Sequence, residues 1–321
     1  MEHQTQSPLP VTLLTGFLGS GKTTLVNHIL SGSHGRKIGV IVNEFGELGI
    51  DAALISGASG SVIELANGCI CCATQGDLSR SLRDIAAAGN QMEALLIETS
   101  GLADPEPVVA ELQSAKFAQA FRLDGVITVI DAENFDRNLD HAEAAFQQIV
   151  AGDLLVINKV DTVPEEIPGL IESGVRKVNP DARFVTAVRC EVPLDIVFGI
   201  GGRVEPAVHA HDHHHHHDHD DAHHHHHSHD DFDSVSLSLK RVVDPLRFTA
   251  WLEGLGTDVF RAKGFVRFLG NDAPVVVHVV GARRSVEPAP EGIDTKGAAL
   301  VVIGRNLSPA DLKAGLESCA A

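Results

Sequence analysis

Basic residues are scarce in this 321-residue chain, which has 25 Lys and Arg against 43 Asp and Glu and a formal net charge of −18. A surface that follows the phosphates of DNA or RNA needs clustered Lys and Arg. The charge balance therefore argues against a nucleic-acid partner. Part of the acidity is local, because residues 209–233 alone contain seven Asp.

Long apolar runs are also missing. No stretch approaches the length of a membrane span, and the opening MEHQTQSPLP lacks a basic region followed by an apolar one. We therefore expect neither a membrane helix nor a signal peptide. The chain has only five cysteines, and three of them, Cys69, Cys71 and Cys72, lie too close together for a disulfide framework. The expected compartment is a reducing cytoplasm, in which thiols stay available for metal.

A glycine-rich loop is the most specific motif present. Residues 16–23 read GFLGSGKT, which matches G-x-x-x-x-G-K-T, and they lie between an apolar segment typical of a strand and an amphipathic segment typical of a helix. In such a loop the backbone N–H groups turn inward on phosphate, Lys22 reaches the β- and γ-phosphates and the Thr23 hydroxyl binds Mg²⁺. The residues predicted to surround the phosphates are Gly16, Phe17, Leu18, Gly19, Ser20, Gly21, Lys22, Thr23 and Thr24.

A second motif indicates the base. The apolar run 154–157 leads directly into an N-K-x-D sequence, which consists of Asn158, Lys159, Val160 and Asp161. The Asp161 carboxylate can accept two hydrogen bonds from guanine, through N1–H and the N2 amino group, whereas adenine lacks this donor pair. Asn158 is expected to support the loop and the Lys159 stem to lie across the base. Downstream of a phosphate loop, the motif favours GTP over ATP.

Hydrolysis also requires an acid near Mg²⁺ and a segment that senses the γ-phosphate. Glu98 ends the apolar run 94–97, where it can hold the metal through a water, and the Gly101 N–H can contact the γ-phosphate. The segment 43–60 is a second candidate switch, because it is rich in glycine and follows a predicted strand. No motif identifies the residue that positions the attacking water. The predicted catalytic set is Lys22, Thr23, Glu98 and Gly101.

Three thiols lie within four positions, at Cys69, Cys71 and Cys72, after a predicted strand and before a predicted helix. Thiolates near a helix N-terminus have a lowered pKa, which favours both soft-metal binding and reactivity. Three sulfurs suit Zn²⁺ or Cu⁺, and a closed zinc site needs a fourth ligand. Glu47, a water or a partner protein are the candidates for that ligand. A redox switch and buried structural cysteines are the alternatives.

A histidine-rich tract interrupts the pattern of strands and helices. From His209 to His229 the chain contains fourteen His, interspersed with Asp and almost free of apolar residues. Such a segment cannot bury enough surface to offset its ordering entropy, so we predict a disordered linker. Its imidazoles can bind Zn²⁺, Ni²⁺, Co²⁺ or Cu²⁺ in interchangeable arrangements, which suits metal buffering. An inert spacer is the alternative.

Apolar runs and helical patterns alternate before this tract, which predicts an α/β fold: a doubly wound, mostly parallel sheet of the P-loop NTPase type. Its predicted strands are 11–14, 38–42, 61–65, 94–98, 126–131, 154–157 and 184–188. A small α+β domain is predicted after the tract, with strands at 234–243, 259–269, 274–280 and 298–303. We expect a GTPase domain at 1–203, the His/Asp-rich linker at 204–233 and the C-terminal domain at 234–321.

The segments GFLGSGKTT, NEFGE, NGCICC, ETSGLADP and NKVD occur in that order. Together they resemble the CobW-type family of P-loop GTPases, which includes the zinc-regulated GTPase metalloprotein activators and the cobalamin-synthesis branch. The resemblance implies a cytoplasmic GTPase metallochaperone with GTP and Mg²⁺ in its nucleotide site and a client metalloprotein as its partner. Its cargo would be Zn²⁺, or else Co²⁺ or Ni²⁺, on Cys69, Cys71 and Cys72. The resemblance also allows a homodimer across the nucleotide face.

Three other functions are compatible with the sequence. The first is a cobalt-handling protein of cobalamin synthesis, and the second is a metal storage or buffering protein whose nucleotide site is regulatory. The third is a P-loop kinase, which the predicted guanine contact of Asp161 disfavours.

Overall fold

The computed structural model describes residues 7–32, 37–42, 62–63, 75–88, 92–141, 143–198, 232–290, 293 and 295–321. Its first sheet consists of β1 (Leu9–Thr15), β2 (Ile38–Val42), β3 (Val62–Ile63), β4 (Ala94–Glu98), β5 (Phe121–Asp131), β6 (Leu154–Asn158) and β7 (Arg183–Ala187). The order across this sheet is β3-β2-β4-β1-β5-β6-β7, and every pairing is parallel. The predicted parallel α/β sheet is confirmed.

Helices cover both faces of this sheet. They are α1 (Lys22–Ser31), α2 (Gln75–Ala88), α3 (Glu106–Gln113), α4 (Phe135–His141), α5 (Glu143–Ala151), α6 (Ile167–Val175) and α7 (Leu194–Phe198). Successive strand side chains point to opposite faces. Leu14 accordingly packs with Leu25 of α1, whereas its neighbour Leu13 packs with Leu82 of α2. The alternation gives the sheet one apolar core on each side.

The second sheet is antiparallel and belongs to the C-terminal part of the chain. It contains β8 (Asp233–Leu239), β9 (Val259–Val266), β10 (Val275–Val280), β11 (Arg283–Pro288) and β12 (Ala298–Gly304), in the order β11-β10-β9-β12-β8. Helices α8 (Pro245–Glu253) and α9 (Pro309–Ser318) pack on it. Asp244 and Ser308 cap these helices by accepting hydrogen bonds from backbone N–H groups of the first turn, as Asp and Ser commonly do.

Strand β5 is longer than its apolar pattern predicts, because it begins at Phe121. Polar Arg122 and Asp124 break the apolar run, yet both are engaged in ion pairs at the contact between the two sheets. The pattern also missed α4, α7 and β11. Strand β11 reads RRSVEP, and it is held in the sheet by its pairing with β10 rather than by apolar burial.

The C-terminal part of the chain contacts the parallel sheet at the amino-terminal ends of its strands. Arg261 of β9 forms an ion pair with Asp124 over 2.7 Å, and Arg283 of β11 forms one with Asp153, just before β6, over 3.0 Å. The phosphate-binding and base-binding motifs follow the carboxyl ends of β1 and β6, at the opposite edge. The position of this edge agrees with the general location of ligands in open α/β sheets.

Candidate nucleotide site

The glycine-rich loop joins the end of β1 to the start of α1. Gly16, Gly19 and Gly21 have φ angles of 139°, 74° and 112°, a region that favours glycine. A Cβ on Gly16 would lie 2.3 Å from the Val129 carbonyl oxygen, and one on Gly21 would lie 2.6 Å from Asn158 Nδ2. The glycines therefore allow the loop to lie directly against β5 and β6. The loop leads into the N-terminus of α1, where the helix dipole favours an anion.

Two side chains of the first turn of α1 carry the polar chemistry of this loop. Lys22 is buried, and its Nζ donates hydrogen bonds to the carbonyl oxygens of Gly16 and Phe17 over 2.8 and 3.2 Å. The Thr23 hydroxyl donates to Glu98 Oε1 over 3.3 Å. Glu98 ends β4 and is buried. A hydroxyl and a carboxylate are oxygen ligands of the kind that Mg²⁺ prefers, so this pair fits that ion.

The other loop residues lie around the same turn. Ser20 is buried, and its Oγ has no hydrogen-bond partner among the residues that the structure describes. Leu18 and Thr24 are exposed, and Phe17 is half-buried. Gly101 packs against the loop from the side of β4, because a Cβ there would lie 2.7 Å from Leu18 Cδ2 and 2.8 Å from the Leu18 nitrogen. The predicted γ-phosphate sensor and the loop are thus direct neighbours.

Asn158 connects the glycine-rich loop to the base side of the site. Its Nδ2 donates to the Ser20 carbonyl oxygen over 2.8 Å, and its Oδ1 accepts from the Cys190 backbone N–H over 2.8 Å. The Cys190 Sγ also contacts the Gly21 carbonyl oxygen at 3.3 Å. One buried side chain therefore holds together three segments that are distant in sequence.

Lys159 adopts a left-handed backbone with a φ of 64°. Its Nζ lies 2.7 Å from Oδ2 of Asp131, the last residue of β5. Burial raises the pKa of Asp131, but hydrogen bonds from Lys159 and Asn134 outweigh burial and leave that pKa below its usual value. Asp161 lies in the short 3₁₀ helix Val160–Thr162 and is exposed. The Lys159 stem is therefore fixed, while the Asp161 carboxylate is open to solvent.

Sequence motifs do not identify the segment 188–190, which follows β7 beside Asn158. Arg189 and Cys190 are both left-handed, with φ angles of 53° and 57°. Burial raises the pKa of the Cys190 thiol to about 12, so this sulfur stays protonated and acts in packing rather than as a metal ligand. The only sequence signal is its position after a strand of the same sheet. Asp131 carries no motif either, and its contact with Lys159 requires the fold.

The predicted metal ligands Glu47, Cys69, Cys71 and Cys72, the switch segment 43–60 and the tract from His209 to His229 lie outside the described residues. Within the part of the chain that the structure describes, no group of three or more His, Cys, Asp or Glu side chains could hold a metal ion. Over the same residues, no helix has both the length and the apolar character that a membrane crossing requires.

Comparison with known proteins agrees with this architecture. Residues 10–186 match the family model described as CobW/HypB/UreG, nucleotide-binding domain, and residues 232–320 match the cobalamin synthesis protein cobW C-terminal domain. The zinc chaperone CobW of Pseudomonas aeruginosa is 35% identical, over 99% of this chain and 93% of that protein. The zinc-regulated GTPase metalloprotein activator 1 of Schizosaccharomyces pombe is 34% identical, over 56% of this chain and 46% of that protein.

Among solved structures, the crystal structure of Zn(II)-bound YjiA GTPase from E. coli is 28% identical, with a TM-score of 0.47, and the match covers 98% of this chain and 100% of that one. The first family match spans the strands of the parallel sheet, and the second spans those of the antiparallel sheet. The resemblance inferred from those motifs is confirmed: the chain belongs to the CobW family, with a CobW/HypB/UreG nucleotide-binding domain followed by a CobW C-terminal domain.

Proposed function

We propose that this chain is a GTP-hydrolysing metallochaperone that binds Zn²⁺ at Cys69, Cys71 and Cys72 and transfers it to a client metalloprotein. The observation that carries the nucleotide part is the Asn158 side chain, which bonds the glycine-rich loop and the base-side loop at once. Phosphates and guanine thereby share one continuous site. Two relatives named zinc chaperone CobW and zinc-regulated GTPase metalloprotein activator support zinc over cobalt as the cargo.

Binding of GTP would change the partners of Lys22. Its ammonium group now donates to the carbonyl oxygens of Gly16 and Phe17. The charged β- and γ-phosphate oxygens are stronger acceptors, so Lys22 exchanges two neutral partners for anionic ones. Thr23 directly and Glu98 through a water would hold Mg²⁺, which supplies charge neutralisation to the phosphates when it is bound. The Gly101 N–H contacts the γ-phosphate. When hydrolysis removes the γ-phosphate, this contact is lost and the loop after Gly101 is released.

Strand order supports a link between this chemistry and the cargo. Strand β2 ends at Val42, which is level with Glu98 at the end of β4, and β3 runs parallel beside β2 with Ile63 level with Gly39. The sequence continues from β2 into Glu47 and from β3 into the three cysteines. In sequence, the proposed cargo ligands therefore follow two neighbouring strands of the sheet that carries the nucleotide site. Any effect of GTP on metal affinity must be matched by an equal effect of metal on GTP affinity, because binding linkage is reciprocal.

A titration tests this coupling. Purified protein is titrated with Zn²⁺, Co²⁺ and Ni²⁺, each with and without a non-hydrolysable GTP analogue, and turnover is followed as phosphate release. We expect Zn²⁺ to change the affinity for the analogue, typically by 5- to 150-fold in coupled systems. Cys71→Ser should abolish that change and retain GTP binding. The control is Cys319→Ala, since Cys319 is a buried thiol in the C-terminal domain.

Two results would count against the proposal in different ways. A nucleotide affinity and a turnover rate that are indifferent to Zn²⁺ would remove the coupling and leave a GTPase alone. Equal effects of Cys71→Ser and Cys319→Ala would show that a general loss of stability, rather than loss of a zinc ligand, explains the change.

A further inference from the structure

Gln148 belongs to no motif of the nucleotide site, yet it holds the loop that follows Glu98. It lies on α5 and is 1% exposed. Its Nε2 donates to the carbonyl oxygens of Gly101 and Ala103 over 3.1 and 3.0 Å. Both hydrogens of one amide nitrogen are therefore engaged with the same loop. A side-chain amide offers only these two donors, so the donor capacity of Gln148 is fully used here.

The backbone that carries this amide is itself fixed to the parallel sheet. The Thr128 hydroxyl, on β5, donates to the Gln148 carbonyl oxygen over 2.6 Å, and Thr128 is 1% exposed. A Cβ on Gly152, just beyond α5, would lie 2.7 Å from the same hydroxyl, so the chain packs closely around it. The amide of Gln148 therefore reaches the loop from a rigid support.

The loop is enclosed from the opposite side as well. Gly101 is buried and leaves no room for a Cβ beside Leu18 of the glycine-rich loop. The Ala103 N–H donates to the Ser100 carbonyl oxygen over 3.0 Å, which closes a turn. With its carbonyl held by Gln148 and its Cα against the phosphate-binding backbone, Gly101 has little freedom to change the direction of its N–H group.

We propose that Gln148 is a positioning residue for recognition of the γ-phosphate. It orders residues 101–103 before the nucleotide arrives, and it thereby sets how much more tightly the protein binds GTP than GDP. A loop that is not held must lose conformational entropy when it contacts the γ-phosphate, and this cost weakens GTP binding. GDP has no γ-phosphate and avoids that cost. The inference rests on the proposed GTPase function.

Gln148→Met tests this role, because methionine has a similar length and lacks both N–H donors. We expect about tenfold weaker binding of a non-hydrolysable GTP analogue and about tenfold slower turnover, from two lost hydrogen bonds. The affinity for GDP should stay within about twofold of the wild-type value, since the rest of the site is unchanged. Isothermal titration calorimetry with each nucleotide gives the two affinities and their ratio.

Asn179, which follows α6, provides a matched control because it contacts the C-terminal end of α5, the helix that carries Gln148. Its Nδ2 shares its two hydrogens among the carbonyl oxygens of Ile149, Val150 and Gly152, so it is also a side-chain amide that holds backbone carbonyls. Asn179→Leu should lower the melting temperature to a similar extent and leave the ratio of GTP-analogue to GDP affinity unchanged. A purely structural role of Gln148 predicts the same unchanged ratio for Gln148→Met, and that result would overturn the inference.

Further measurements keep the inference testable if Gln148→Met does not fold. In Gln148→Glu, burial beside carbonyl oxygens favours the protonated acid, which regains one O–H donor. The affinity ratio of that variant should therefore rise as pH falls, and a ratio independent of pH would count against the role. In the nucleotide-free wild type, the Ala103 amide should exchange slowly with solvent deuterium. Exchange at the rate of an open chain would also overturn the proposal. A wild type that binds neither nucleotide would instead overturn the proposed function.

Discussion

Single side chains in the base motif have two kinds of contact. Asn158 and Lys159 are held by the protein, through Ser20, Cys190 and Asp131. Asp161 is exposed, and its carboxylate is open to a ligand. This division agrees with the prediction that Asp161 selects the base, and it gives Asn158 and Lys159 the task of maintaining the shape of the site.

Asp161→Asn should change which purine nucleotide is bound. An amide in place of the carboxylate loses the acceptor pair for guanine N1–H and N2, so GTP affinity should fall about 100-fold. The new amide can donate to the C2 carbonyl of xanthine, and xanthosine triphosphate should bind better than GTP. Competition binding with GTP and xanthosine triphosphate measures this change in base preference.

Asp272→Asn is the control for this substitution, because Asp272 is an exposed Asp of the C-terminal domain. It should leave both affinities unchanged. Retention of full GTP preference by Asp161→Asn would mean that other groups select the base.

The glycine-rich loop between β1 and α1 determines the shape of the predicted phosphate-binding part of the site. Its left-handed glycines are not equivalent. Among the described residues, no atom lies within 4 Å of a Cβ added to Gly19, whereas a Cβ on Gly21 would lie 2.6 Å from Asn158 Nδ2 and 2.8 Å from Cys190 Sγ. Gly21 is therefore required by packing as well as by its backbone angle.

Gly21→Ala and Gly19→Ala form a matched pair that separates these two effects. Both alanines are placed in a left-handed backbone, which costs about 1–2 kcal/mol. Overlap with Asn158 and Cys190 should cost Gly21→Ala roughly 1–3 kcal/mol more. Urea denaturation without nucleotide measures the free energy of unfolding. Equal losses for the two variants would show that the base-side loop moves aside without cost.

The molecule as a whole carries a buried ionic contact between its two sheets. Burial raises the pKa of Asp124, but the guanidinium groups of Arg261 and Arg122 hold that pKa well below its usual range. His278 is 8% exposed and lines a cavity of about 40 Å³ beside these residues and Lys263. Burial, together with the charges of Arg122 and Lys263, lowers the pKa of His278 to about 3. The nearby Asp124 opposes this shift and Arg261 adds to it.

The low pKa of His278 predicts how stability depends on pH. In the unfolded chain a histidine titrates near 6.5, so between about pH 3 and 6.5 the unfolded state binds the extra proton. The contribution of neutral His278 is complete above about pH 6.5 and is lost as pH falls toward 3. His278→Gln cannot titrate, so its free energy of unfolding should fall less steeply from pH 6.5 to 4 than that of the wild type. Identical slopes would contradict this prediction.

Some features of the fold could be predicted from local sequence patterns, and others could not. The phosphate loop and the N-K-x-D motif could be placed at strand ends because glycine spacing and apolar runs act over a few neighbouring residues. The start of β5 was missed, since Arg122 and Asp124 look like loop residues until Arg261 and Glu287 are brought beside them. Short α7 and polar β11 were missed for a similar reason, because packing and pairing rather than a local pattern stabilise them.

The chain itself determined the nucleotide-binding loop, the guanine motif, the family and the parallel α/β sheet, because each depends on backbone preferences and hydrophobic order along short segments. Only the tertiary structure decided that Gln148 holds Gly101, 47 positions away, that Asn158 joins three loops, and that Arg261 reaches Asp124 across 137 positions. These contacts are hydrogen bonds and ion pairs between distant residues. Their partners exist only once the strands have been ordered, so no local pattern encodes them.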